Sequence, residues 1–250
     1  MSSLSLVLAT YNEENNLDEC LKSAKAIADE IIIVDGGSRD NTVGIAKKYG
    51  AKVKIVDNPP IFHINKQKAI DLATKDWVLQ LDADERVTPE LSREIKEIIA
   101  NDTVINGYCI PRKNWFLGRF LMKGGAYPDY TLRLYRRGKG RLPQKSVHEQ
   151  AEVEGEVAYL QNPLIHMADR SFGRYLMRWQ RYTDLIADEL REEKSNVVTP
   201  VNYGLIKPVW WFLLTYIRHK GFMDSWQGFV FSFFSALRFP MGYIKSLRKI

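Results

Sequence analysis

Three polar clusters each follow directly on a predominantly apolar run, and this repeated placement constrains the fold more than any other feature of the chain. Residues 4–9 run into Thr10-Tyr11-Asn12-Glu13, residues 31–34 into Asp35-Gly36-Gly37-Ser38, and residues 77–81 into Asp82-Ala83-Asp84. Apolar runs that do not alternate with polar residues suit strands covered on both faces. Helical periods lie between them. Leu17, Cys20, Leu21, Ala24, Ile27 and Ala28 recur at three- and four-residue steps in a helix opened by residues 12–14. Ser38, Asp40 and Asn41 cap a second helix that carries Val43, Ile45, Ala46 and Tyr49 and stops at Gly50. Residues 52–56 read as a short strand and residues 65–74 as a helix. Thr88-Pro89 supplies the cap and first residue of a helix through Ile99. A β-α-β-α order implies a mostly parallel sheet with helices on both faces. Ligands of such sheets gather at the C-terminal edge of the strands, where all three polar clusters would lie.

Two carboxylates at i and i+2 after a buried strand can point to one side. Few and hard oxygen ligands suit Mg²⁺ or Mn²⁺, which keep waters and bind substrate phosphates. Two acids beside a turn are otherwise an ordinary solvated loop, and Asp35 after its strand is otherwise a helix cap. Gly36-Gly37 and Gly124-Gly125 match neither a P-loop nor a dinucleotide fingerprint, which disfavours a kinase or a dehydrogenase.

Four segments together carry a family resemblance. Ala9-Thr10-Tyr11-Asn12-Glu13-Glu14, residues 33–42, Asn65-Lys66-Gln67-Lys68 and Leu81-Asp82-Ala83-Asp84-Glu85 resemble glycosyltransferase family 2, enzymes of the GT-A fold. Residues 127–137 followed by Val147-His148-Glu149 resemble a narrower branch that contains lipopolysaccharide inner-core glucosyltransferases. The resemblance implies that Thr10, Tyr11 and Glu13 line a nucleoside pocket and that Asp35 accepts a bond from the uracil imide. Lys68 would contact the nucleotide, Asp82 would sit near the ribose and the metal, and Asp84 would bind the metal. Some enzymes of this fold use a late histidine as a further ligand. His166 in Leu164-Ile165-His166-Met167 is the candidate, against the plainer reading of a structural histidine after an apolar strand. Inverting transfer needs a carboxylate to take the acceptor's proton, and Glu149 is the first choice with Asp129 its rival.

The expected fold class is therefore α/β, a GT-A catalytic domain over residues 1–168 with a helical, aromatic-rich extension over residues 169–250. Residues 1–110 would hold the nucleotide sugar and residues 111–168 the acceptor. The net charge of +6 is concentrated: between Arg112 and Lys145 there are ten Lys or Arg and one acid, Asp129. A local cationic stretch beside the chemistry suits an anionic small molecule, a phosphorylated glycolipid or a membrane surface, and not nucleic acid. Cys20 and Cys109 stand far apart and read as reduced thiols. The N-terminus reads as the first strand rather than a signal peptide, so a cytoplasmic location is expected.

After Pro200 aromatics and cations interleave to the end. The longest uncharged stretch, residues 225–237, is well short of the ~20 residues of a spanning helix. This mixture suits helices lying on the inner face of the cytoplasmic membrane, or a helical hairpin packed on the catalytic domain or on another subunit of an oligomer. The expected activity is transfer of a hexose, glucose by the branch, from a UDP-sugar to a saccharide or glycolipid such as lipopolysaccharide core. A polyprenyl-phosphate glycosyltransferase and a non-catalytic nucleotide-sugar or lipid-binding module are the alternatives.

Overall fold

The structure is a computed structural model that describes residues 2–101, 103–143, 151–192 and 199–247. Two compact units divide it, residues 1–112 with 129–166, and residues 113–128 with 167–250.

In the first unit, β1 (Leu4–Thr10), α1 (Leu17–Ala24), β2 (Glu30–Asp35), α2 (Thr42–Lys48), β3 (Lys52–Ile55), α3 (His63–Asp71) and β4 (Trp77–Gln80) alternate along the chain. Then come β5 (Glu85–Val87), α4 (Pro89–Ala100) and β6 (Gly107–Phe116), the last of which continues into the second unit. β1 pairs in parallel with β2 and β4, and β2 with β3.

The apolar runs form strands because both of their faces are covered. Along β1, Leu4, Leu6 and Leu8 pack with Leu17, Cys20 and Leu21 of α1 and with Leu91 and Ile95 of α4. Val7 points the other way, into a cluster with Ile32, Val34 and Ala69 and Ile70 of α3. Ile31 and Ile33 of β2, and Trp77 and Leu79 of β4, join the first cluster, while Val78 joins the second. Strand period two thus distributes a mainly apolar run between two layers. α4 begins where its residues direct it: the Thr88 hydroxyl accepts a bond from Leu91 N at 3.1 Å, with Pro89 in the first turn.

After a short β7 (Arg119–Phe120), the strand β8 (Asp129–Arg136) joins β4 and β6, antiparallel to both. The sheet order β3-β2-β1-β4-β8-β6 is therefore parallel at one end and antiparallel at the other. β9 (Gly140–Arg141) and β10 (Glu152–Val153) form a separate antiparallel pair, and β11 (Val157–Tyr159) lies parallel to β6. β12 (Leu164–Asp169) pairs antiparallel with β5, setting His166 opposite Glu85. Cys20 is buried and Cys109 half-buried, and both are free thiols.

The second unit joins the loop of residues 113–128, which the sequence places with the acceptor half, to α5 (Phe172–Glu192), α6 (Lys207–Phe212) and α7 (Ser225–Leu247). Its core is aromatic. Phe116 meets Tyr175 edge-on at 4.8 Å, and Phe234 packs edge-on against Phe172, Tyr175 and Trp179. Trp179 Nε1 also donates to the Phe234 carbonyl at 2.8 Å. Buried Asp224 ties in the loop by accepting from Met122 N at 2.9 Å and Lys123 N at 2.7 Å. These contacts group the loop with the helices.

Candidate active site

The ends of β1 and β2 are fastened by one carboxylate. Asp35 is fully buried; its Oδ2 accepts from the hydroxyls of Thr10 at 2.8 Å and Ser38 at 2.6 Å. Its Oδ1 accepts from Gly37 N at 3.1 Å and Ser38 N at 2.7 Å. Gly37 sits at φ +80°, a conformation that favours glycine and allows the chain to fold back over the carboxylate. Four bonds fill the acceptor sites of a carboxylate, so in this arrangement Asp35 holds the loop, and a base N–H would have to displace one partner. Thr10 is buried with it, while Tyr11 is exposed. The Glu13 carboxylate accepts from Asn16 at 2.7 Å, and Ser38 Oγ accepts from Asn12 N at 2.8 Å, stitching the two loops together.

The acidic triplet follows β4 in a closed turn. Asp82 N donates to Glu85 Oε2 and Glu85 N donates to the Asp82 carbonyl, both at 2.9 Å. Asp82 is not left to solvent: Lys66 Nζ ion-pairs with Oδ1, and Arg133 Nη2 meets Oδ2 at 2.7 Å. Arg133 also donates at 2.7 Å to Glu85 Oε1 and to Gln80 Oε1. Arg112 lies 3.5 Å from Glu85 and donates to Asp129 at 2.7 Å. The result is an alternating chain, Lys66–Asp82–Arg133–Glu85–Arg112–Asp129, with three charges of each sign. Glu85, Arg133 and Lys66 are buried within it. Burial works against the charge on Asp82, yet Arg133, Lys66 and Arg112 outweigh it and hold the carboxyl far below the usual range. Burial likewise disfavours charged Arg133, while Asp82 and Glu85 hold its proton more firmly than in water.

Asp84, the last acid of the triplet, turns toward β12, where its Oδ1 lies 3.6 Å from His166 Nε2. The β5–β12 register sets this distance, since His166 faces Glu85, the residue next to Asp84. Both side chains are partly exposed. A carboxylate oxygen beside an imidazole nitrogen is a donor set that Mn²⁺ or Mg²⁺ accepts. Among the described residues no group of three His, Cys, Asp or Glu side chains is arranged to hold a metal. A two-donor site fits an ion that completes its shell with water and substrate phosphates.

Of the sequence-predicted residues, Asp82 and Asp129 thus belong to one network, Asp84 and His166 to a donor pair beside it, and Thr10 and Asp35 to the pinned strand ends. Lys68 stands apart, donating to Asn65 Oδ1 at 3.1 Å. Glu149 lies outside the described residues. Sequence reasoning passes over Lys66, Glu85, Arg112 and Arg133. A signal exists for Lys66: it shares the buried face of α3 with His63, Ala69 and Ile70 at helical spacing, and Lys68 does not.

Residues 5–152 match the family model described as Glycosyl transferase family 2. The chain belongs to glycosyl transferase family 2. Similarity within this family of glycosyltransferases extends over nearly the whole chain. The "Lipopolysaccharide core biosynthesis glycosyltransferase LpsC" of Rhizobium meliloti is 31% identical over 94% of this chain and 91% of its own length. An uncharacterised glycosyltransferase of Rickettsia typhi is 28% identical, covering 92% of this chain and 82% of its own. Among solved structures, S. aureus TarS superposes with a TM-score of 0.50 at 18% identity, covering 89% of this chain and 45% of that one. The fold is GT-A.

Proposed function

We propose that this glycosyltransferase moves a hexose, glucose, from a UDP-sugar to a saccharide or glycolipid acceptor such as lipopolysaccharide core, inverting the anomeric carbon. The observation that carries the reading is the Asp84–His166 donor pair beside the acidic turn of a family 2 sheet. The acceptor class is supported by the name of LpsC, the relative in lipopolysaccharide core biosynthesis.

In this reading residues 1–168 carry catalysis and residues 169–250 carry a peripheral contact with the inner face of the cytoplasmic membrane. Thr10, Tyr11, Glu13, Asp35, Lys68 and Asp82 bind the nucleotide. Asp84 and His166 hold Mg²⁺ or Mn²⁺, with Asp82 beside them. The ion, when bound, supplies a Lewis acid for the negative charge of the leaving diphosphate. The chain's own part is electrostatic and positional. Arg133 and Lys66 keep Asp82 ionised and fix the turn, so Asp84 is oriented before substrate arrives. Glu149 takes the proton of the acceptor hydroxyl, on the face of the sugar opposite the diphosphate. Asp129 is the second candidate for that role, oriented by Arg112 at 2.7 Å.

The experiment is a screen of sugar nucleotides for slow hydrolysis with Mg²⁺ or Mn²⁺. UDP-glucose is expected to release UDP fastest, and no release above buffer from any sugar nucleotide would contradict the reading. A Glu149→Gln variant that keeps full transfer would instead favour a phosphate acceptor, which needs little help from a base.

A further inference from the structure

The C-terminal helices leave a broad apolar surface uncovered. Residues 202–218 form one helical run in which α6 is flanked by π-type turns at Asn202–Ile206 and Leu213–Arg218. In an α-helix of about 3.6 residues per turn, positions four apart drift around the axis. The wider π turns take up that drift and hold a period-four pattern on one side. Val201, Leu205, Val209, Leu213 and Ile217 therefore fall in line, and each is 50–61% exposed. Trp210 widens the line. From the turn at Gly221–Asp224 onward, Phe222, Trp226, Phe229 and Phe233 repeat at four- and three-residue steps into and along α7, and all are exposed. Phe229 packs edge-on against Phe212 at 5.9 Å and Tyr216 at 5.7 Å, so both lines belong to one helical hairpin. Large apolar side chains exposed in regular lines mark a docking surface rather than scattered surface residues.

Charge selects the occupant. Between Thr199 and Leu247 the only carboxylate is Asp224, which is 2% exposed and bonded to the backbone of Met122 and Lys123. Every other charge in that segment is cationic: Lys207, Arg218, Lys220, Arg238 and Lys245. Arg218 and Lys220 are exposed at the hairpin turn, and Lys207 lies over the Tyr203 ring at 3.6 Å. A second copy seated on this face in a two-fold dimer would meet it with the same cations and no exposed acid. An anionic bilayer satisfies both halves, taking the aromatic and aliphatic line into its interface and the cations among its head groups. Among the described residues no helix is long and apolar enough to cross a membrane.

We propose that this hairpin face, centred on Leu205, Val209, Leu213 and Ile217 with Arg218 and Lys220 at its end, lies flat in the head-group region of an anionic phospholipid bilayer. The inference names the surface for the membrane contact and glycolipid acceptor of the preceding reading, and in that sense rests on it. Two variants of the full chain test it in flotation with vesicles of phosphatidylcholine alone or with phosphatidylglycerol. Wild type should float with the anionic vesicles and far less with neutral ones. Leu205→Asp with Leu213→Asp should lower the bound fraction by about tenfold or more. Arg218→Glu with Lys220→Glu should remove the preference for phosphatidylglycerol. Both variants should keep the wild-type thermal melt and vesicle-free UDP release. Wild type that stays unbound, or a Leu205→Asp/Leu213→Asp variant that floats as wild type does, would overturn the proposal. So would a wild-type dimer in sedimentation equilibrium that this variant dissolves, which would assign the face to a second copy. Normal flotation without UDP release would remove the donor reading and leave the docking face standing.

Discussion

At the scale of single residues, the site is organised by what keeps its acids charged. Arg133 sits between Asp82 and Glu85, both at 2.7 Å, and removing it leaves two carboxylates without their shared partner. Arg133→Met is expected to cost about 3–5 kcal/mol of stability, read from urea unfolding. Lys66→Met should cost less, because Asp82 keeps Arg133. Away from the site, Glu30 shows the same principle with a defined pH signature. Burial pushes its pKa up, but bonds from Lys52, Ser5 and the backbone and hydroxyl of Thr74 prevail and bring it down to about 2 from 4.5. A depressed carboxylate stabilises the fold above its unfolded pKa, and the contribution disappears as pH falls through the folded one. Glu30→Gln should therefore destabilise by roughly 3 kcal/mol at neutral pH. The difference from wild type should shrink from about pH 4.5 toward pH 2 in a pH series of unfolding curves. Neither Arg133 nor Glu85 is legible in the sequence as a site residue. Their roles arise because β8, which carries Arg133, lies beside β4 and brings Arg133 to Glu85 at the start of β5, and no local spacing encodes that meeting.

At the scale of elements, legibility follows from periodicity. β1, β2 and β4 stand out because burial on two faces makes most of their residues apolar, without strict alternation. α4 is bounded correctly by its own cap chemistry. Thr88→Ala is expected to remove about 1 kcal/mol by thermal unfolding, since Leu91 N loses its partner. β5 is hidden: its three residues directly follow the acidic triplet and read as the remainder of a loop. That short strand is what brings His166 to Asp84 through its pairing with β12, so family resemblance suggests the donor pair where residue spacing alone does not. The π-type turns are likewise invisible, because a period of four fits neither strand nor ideal helix. Packing between α5 and α7 depends on Gly242, where an added Cβ would lie 2.5 Å from Ile186 Cγ2. Gly242→Leu should force these helices apart and lower the melting temperature of the chain, and an unchanged melt would mean the contact is dispensable.

At the scale of the whole molecule, two kinds of physics divide the chain. Residues 1–112 with 129–166 form a sheet domain whose apolar core positions its polar edge, and residues 113–128 with 167–250 form an aromatic helical unit. The concentration of positive charge over residues 112–145 is legible from the sequence, but its division is not. Arg112 and Arg133 neutralise buried acids in the first unit, whereas Lys113 lies over the Tyr127 ring at 5.9 Å in the second. A count of cations does not distinguish those that balance internal carboxylates from those that meet a ligand. In the proposed function, a divalent cation held by Asp84 and His166 supports departure of a UDP leaving group. The most direct measurement is UDP release from UDP-glucose by wild type and Asp84→Asn, with Mn²⁺ and with chelator. The expected result is metal-dependent release that falls by about a hundredfold or more in the variant and in chelator alike. Release that proceeds at the wild-type rate in Asp84→Asn, or that chelator leaves untouched, would contradict the claim.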